Sequence, residues 1–67
     1  MPFVFVDCGQ TDATTKAKLI EKITASTSEV LSMPKENIFV VIRENNPDNV
    51  GVGGKTLTEV VAQRKNT

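Results

Sequence analysis

The chain has no histidine, tryptophan or tyrosine, and its single cysteine is Cys8. Without imidazole it lacks the side chain whose ordinary titration falls between pH 5 and 8. One cysteine cannot form an internal disulfide, and with no histidine beside it there is no zinc-type ligand set. Cys8 therefore reads as a small core filler at a strand end, and its unpaired thiol fits a reducing, cytoplasmic compartment. An excess of one charge sign is also missing, because eight basic and eight acidic side chains cancel. That argues against steering toward nucleic acid or an anionic membrane surface. No apolar run approaches the length needed to span a bilayer, and the first residues lack the basic-then-apolar order of a secretory signal. The 67 residues make one domain, 1–67. A chain of this size buries only about 60% of its unfolded surface. With neither disulfide nor metal to add, association with further subunits is the expected support.

Pro2 stands out among the residues that are present. It follows Met1 directly and opens an apolar run, Phe3-Val4-Phe5-Val6. A methionine before so small a residue is normally removed during synthesis, which would leave a secondary amine on a rigid ring. An unperturbed α-amino group titrates at about 7.7–8.0, and apolar surroundings lower that value. This amine is then the one acid/base group naturally near neutral pH. The plain alternative is a stiff strand start, where a missing N–H costs nothing.

Strand alternation sends Phe3, Phe5 and Asp7 one way and Val4, Val6 and Cys8 the other. A run apolar on both sides suits a strand covered on both faces. Asp12 is the candidate helix N-cap, with Thr11 as its competitor. From about Ala13 to Ser32, Ala17, Ile20, Thr24, Thr27 and Leu31 recur at helical spacing, flanked by Leu19, Ile23 and Val30, with Lys16, Lys18, Glu21, Lys22 and Glu29 on the solvent side. Thr24 to Ser28 are poor helix formers, so packing against a close neighbour must hold them. Met33-Pro34 ends the helix. Pro34 to Asn37 form a turn, and Ile38 to Ile42, extended by Arg43 and Glu44, make a second strand. Asn45 to Asn49 are turn residues. Val50 to Gly54 predict a small hairpin or flap, with Gly51 and Gly53 supplying positive φ or a close backbone approach. Thr56 to Gln63 form a short helical or extended tail.

The predicted fold is α/β (α+β): a single β-α-β unit with parallel strands, a right-handed crossover and a short C-terminal β-hairpin. Residues 2–57 are expected to be well structured and 64–67 frayed. One sheet face lies under the helix and the other stays bare, and an exposed apolar face of that size marks an interface.

Two motifs invite a chemical reading. Gly53-Gly54-Lys55-Thr56 looks like the end of a phosphate-binding loop, but that loop needs its first glycine at position 49, which is Asn49, and a long helix after it. Arg43 ends an apolar strand on the face of Phe39 and Val41. It reads either as a solvated strand end or as a carboxylate clamp, which guanidinium geometry suits.

Pro2, Leu19-Ile20, the run from Pro34 to Glu44, and Asn49-Val50-Gly51-Val52-Gly53-Gly54 together resemble the tautomerase superfamily. The most similar group is the small 4-oxalocrotonate tautomerase-like (2-hydroxymuconate tautomerase) proteins. The resemblance runs over roughly residues 2 to 57. It implies a β-α-β protomer in a homohexamer, a trimer of dimers, or in a mixed hexamer. It also implies a cofactor-independent isomerase whose processed N-terminal proline moves a proton between oxygen and carbon of an enol or dienol acid, as in aromatic degradation. The implied site is Pro2 as catalytic residue, with Phe39, Thr11 and Val50 at substrate-contact positions, and Arg43, four residues beyond the family's strand-two arginine, is the candidate substitute among the substrate contacts. The family's arginine after strand one falls at Gln10-Thr11 here, its arginine early in strand two at Phe39, and its flap aromatic at Val50. Two other readings follow from these departures. One is a non-catalytic or partner-dependent subunit, and the other is a hydratase, dehalogenase or decarboxylase acting on an unsaturated acid.

Overall fold

The computed structural model describes residues 1–65. Strand β1 (Phe3–Gly9) leads through a short loop into helix α1 (Ala13–Leu31), which returns the chain to strand β2 (Phe39–Asn45). β1 and β2 pair in parallel, with Phe3 opposite Phe39, Phe5 opposite Val41 and Asp7 opposite Arg43. A 3-10 turn at Pro47–Asn49 then leads to a hairpin of β3 (Gly51–Val52) and β4 (Lys55–Thr56), and helix α2 (Leu57–Lys65) follows. Helix α2 thus runs past residue 57 and includes Arg64 and Lys65. The fraying expected at Asn66 and Thr67 lies outside the described residues.

Local chemistry accounts for the boundaries. Asp12 caps α1 by accepting the Thr15 N–H at 2.6 Å, which satisfies one of the helix's orphan donors. At the other end Ser32 takes the left-handed conformation, φ 52°, and its N–H bonds the Ser28 carbonyl, closing the helix just before Pro34. Gly53 and Gly54, at φ 59° and 86°, form the two-residue hairpin loop, where a type I′ turn needs both φ values positive. Of the two glycines expected to give positive φ or a close approach, Gly53 gives positive φ, whereas Gly51 is an ordinary strand residue with only the Lys55 carbonyl oxygen 3.9 Å from an added Cβ. Thr56 accepts the Glu59 N–H, and its hydroxyl donates to the Glu59 carboxylate. This reciprocal cap explains why Gly53-Gly54-Lys55-Thr56 is a hairpin entering a helix.

The face of α1 against the sheet takes in Thr24, Thr27 and the flanking Leu19 and Ile23, but not the rest of the expected stripe. Lys16, Leu19, Ile23, Thr24, Ala25, Thr27 and Ser28 are half-buried, whereas Ala17, Ile20 and Leu31 are exposed. Lys16, placed on the solvent side by its charge alone, turns inward because an acidic partner waits at the end of β2. The other sheet face is bare: Phe3 and Phe5 are 54% and 55% exposed, with Phe39 and Val41 also open to solvent.

Among the described residues only Ile38 is buried, and no side chain is fully buried. Burying one such side chain contributes about 1.5–3 kcal/mol, far short of what ordering a chain of this length costs. The radius of gyration is 15.8 Å, against about 11 Å for a compact domain of this length. β3, β4 and α2 form an arm that packs on itself and on the Pro47–Asn49 turn. The protomer does not make a closed core of its own.

Candidate active site

Pro2 sits half-buried just ahead of β1. Its carbonyl accepts the Phe39 N–H at 3.0 Å, so the sheet ladder holds it in place although its own nitrogen carries no hydrogen to donate. That nitrogen is bonded to Met1, which is 77% exposed. Because α1 runs back along the sheet, its C-terminal end lies at the Pro2 end of the molecule. Val30, Leu31 and Met33, at that end, are all exposed. Phe39 stacks on Phe3 with ring centroids 5.0 Å apart and planes at 17°.

The other expected site residues lie elsewhere in the protomer. Arg43 pairs with Asp7, five residues along the ladder from Pro2, a separation of about 16 Å at ordinary strand rise. Its guanidinium is 3.5 Å from the Asp7 carboxylate and 4.9 Å above the Phe5 ring. Thr11 lies beyond the end of β1, where its N–H donates to Glu44 at 2.9 Å. Val50 follows β2, and its carbonyl accepts the Leu57 N–H at 2.7 Å. One protomer therefore joins Pro2 with Phe39, while Arg43 stands near the far end of β2, Thr11 beyond the end of β1 and Val50 beyond the end of β2.

At that far end lies a network that charge counting did not reveal. Glu44 accepts from Lys16 Nζ at 2.8 Å and from the Thr11 N–H. The Lys16 bond, then the Thr11 bond, holds the Glu44 carboxyl below its ordinary value. The Thr15 N–H does the same for Asp12. The helical spacing of Asp12 and Lys16 on α1, with an acidic strand end to receive the lysine, was the signal available in the sequence. An open apolar groove lined by Pro47, Thr58, Val61 and Ala62 also belongs to this end. Among the described residues no group of three acidic or cysteine side chains could hold a metal ion. No described helix is long and apolar enough to cross a membrane.

The family model for tautomerase enzymes matches residues 2–60. The chain belongs to the tautomerase family. It is 44% identical over 61 residues to a probable tautomerase of Bacillus cereus, covering 88% of this chain and 98% of that one. A probable tautomerase of Listeria monocytogenes is 39% identical over 62 residues, covering 90% and 100%. Among solved structures, TomN, a 4-oxalocrotonate tautomerase homologue in the tomaymycin biosynthetic pathway, superposes with TM-score 0.86 at 31% identity, covering 91% of this chain and 95% of that one. YwhB, another homologue of 4-oxalocrotonate tautomerase, gives 0.80 at 32% identity, covering 87% and 97%. As a tautomerase-family member the chain has the β-α-β fold with a C-terminal hairpin that its sequence predicts. Its relatives support isomerase activity of the tautomerase kind in general.

Proposed function

We propose that this tautomerase needs no cofactor and uses the secondary amine of Pro2, freed by removal of Met1, as its acid and base. The substrate would be the enol or dienol form of a small carboxylic acid. The observation that carries the reading is the setting of Pro2: half-buried at a strand start, fixed through its carbonyl by the Phe39 N–H, and joined at nitrogen to one exposed residue. The neutral amine takes the enol hydroxyl proton. The oxygen electrons close the carbonyl, the carbon–carbon double bond shifts, and the pyrrolidinium returns its proton to carbon. The same proton count leaves as enters. A positioned base of this kind is worth about 10²–10⁴ in rate.

The enclosing residues then come from other copies. Arg43 lies too far along the ladder from Pro2 to meet the same small molecule within one protomer, and Thr11 and Val50 come after the far ends of β1 and β2. The elongated chain and its bare apolar face support self-association, with a homohexamer as the proposed state. A two-fold pairing would bring the arm end of each copy to the Pro2 end of the other.

Intact mass of the protein purified from cells decides whether the amine exists, because loss of one methionine is required. Pro2→Ala should lower kcat/KM on an enol acid by 10²-fold or more; unchanged turnover sinks the reading. A partner-dependent subunit is the second reading, favoured by the engagement of Arg43 with Asp7. It predicts activity only when a related chain bearing further cations is mixed in.

A further inference from the structure

β1 and β2 run parallel, so their carboxyl ends, Gly9 and Asn45, open on one edge. In open sheets of parallel strands, ligands bind outside that edge. The turn that leaves it, Gln10 to Asp12, is fixed from both β2 and α1. Strand alternation turns Glu44 toward α1. One of its carboxylate oxygens accepts the Thr11 N–H at 2.9 Å, and the other accepts Lys16 Nζ at 2.8 Å. Asn45 donates to the Cys8 carbonyl at 3.1 Å. On the helix side the Asp12 carboxylate accepts the Thr15 N–H, and the Asp12 carbonyl accepts the Lys16 N–H at 3.1 Å. These bonds hold the backbone and leave the side chains of the turn free. The Gln10 amide and the Thr11 hydroxyl are exposed and have no partner among the described residues. Binding residues sit disproportionately on loops that a rigid scaffold positions in this way.

We infer that Glu44 is a positioning residue for substrate binding. By accepting the Thr11 N–H it sets the turn so that Gln10 and Thr11 present their polar groups to the end of the substrate remote from the reacting carbon. This rests on the Pro2 reading above, in which another copy supplies the enclosing residues. The remote end is held alike before and during proton transfer, so losing the contact raises KM and spares kcat.

Two enol acids, 2-hydroxymuconate and phenylenolpyruvate, serve as probes with the assembled, Met1-processed protein. Glu44→Met removes both acceptors and should raise KM about tenfold with kcat held, within the 10²-fold that a misplacement of about 1 Å can cost. Glu44→Gln keeps one carbonyl oxygen for the Thr11 N–H and should stay near the natural KM. Lys16→Met breaks the same ion pair without touching the Thr11 bond, so it should lower the thermal midpoint and leave KM alone. Thr11→Val should raise KM by itself, and Glu44→Met added to it should raise KM little further. An unchanged KM in folded Glu44→Met protein overturns the inference, and so does an equal rise in Lys16→Met. Should Glu44→Met not fold, an unchanged KM in Thr11→Val has the same force. If the natural protein turns over neither probe, the Pro2 reading falls and this inference with it. If Pro2→Ala turns over normally while the KM pattern stands, the base assignment alone falls.

Discussion

Asp7 and Arg43 are register partners across the parallel strands, and the guanidinium that reaches the Asp7 carboxylate also covers the ring of Phe5. The two side chains are 61% and 55% exposed, respectively. Water and salt therefore screen the pair, and such pairs contribute about 0–1 kcal/mol. A double-mutant cycle of Asp7→Asn and Arg43→Gln, read by urea denaturation, should give a coupling in that range that shrinks in 0.5 M salt, a concentration with a Debye length of only a few ångström. Arg43→Lys should lose more than charge conservation suggests, because ammonium cannot lie flat on Phe5. Coupling well above this range, unmoved by salt, would show that the pair is buried in the assembly.

Acid should loosen the junction between α1 and β2. Glu44 and Asp12 are both held below their ordinary values, chiefly by Lys16 and by the Thr15 N–H respectively. The unfolded chain therefore takes up protons first as pH falls. The stability these groups contribute is complete above the ordinary carboxylate range and is lost as pH drops through their depressed folded values. Thermal midpoints measured from neutral pH downward should fall in that window. Glu44→Gln should flatten the fall, while lowering the midpoint at neutral pH by weakening the Lys16 bond. A Glu44→Gln protein with the natural acid profile would show that Glu44 contributes nothing to it.

The hairpin glycines are unequal. Gly54 holds φ 86° and Gly53 φ 59°, where a Cβ costs roughly 1–2 kcal/mol. At Gly51 an added Cβ meets only the Lys55 carbonyl oxygen, at an unstrained 3.9 Å. Gly54→Ala should thus raise hydrogen exchange throughout the arm and weaken assembly measured by light scattering. Gly51→Ala should do neither.

Most of the fold was legible because its signals are local. The alternation in Phe3 to Cys8, the cap at Asp12, the stop at Met33-Pro34 and the paired glycines each depend on near neighbours in sequence. The bare aromatic face followed too, since a two-stranded unit has one helix to cover it. What escaped depends on contacts made at long range. Lys16 turned inward because Glu44, 28 residues away, receives it, and charge alone argues for the opposite. Of the candidate site, the pairing of Pro2 with Phe39 comes straight from strand register. The placement of Arg43 toward the far end follows from counting residues along that same register.

The exposed link between Met1 and Pro2 has a practical bearing on how the protein is handled. An affinity handle fused ahead of Pro2 would turn the ring nitrogen into an amide on every copy, and material prepared that way would look inert whatever its native competence. A handle attached after Thr67 leaves the ring untouched.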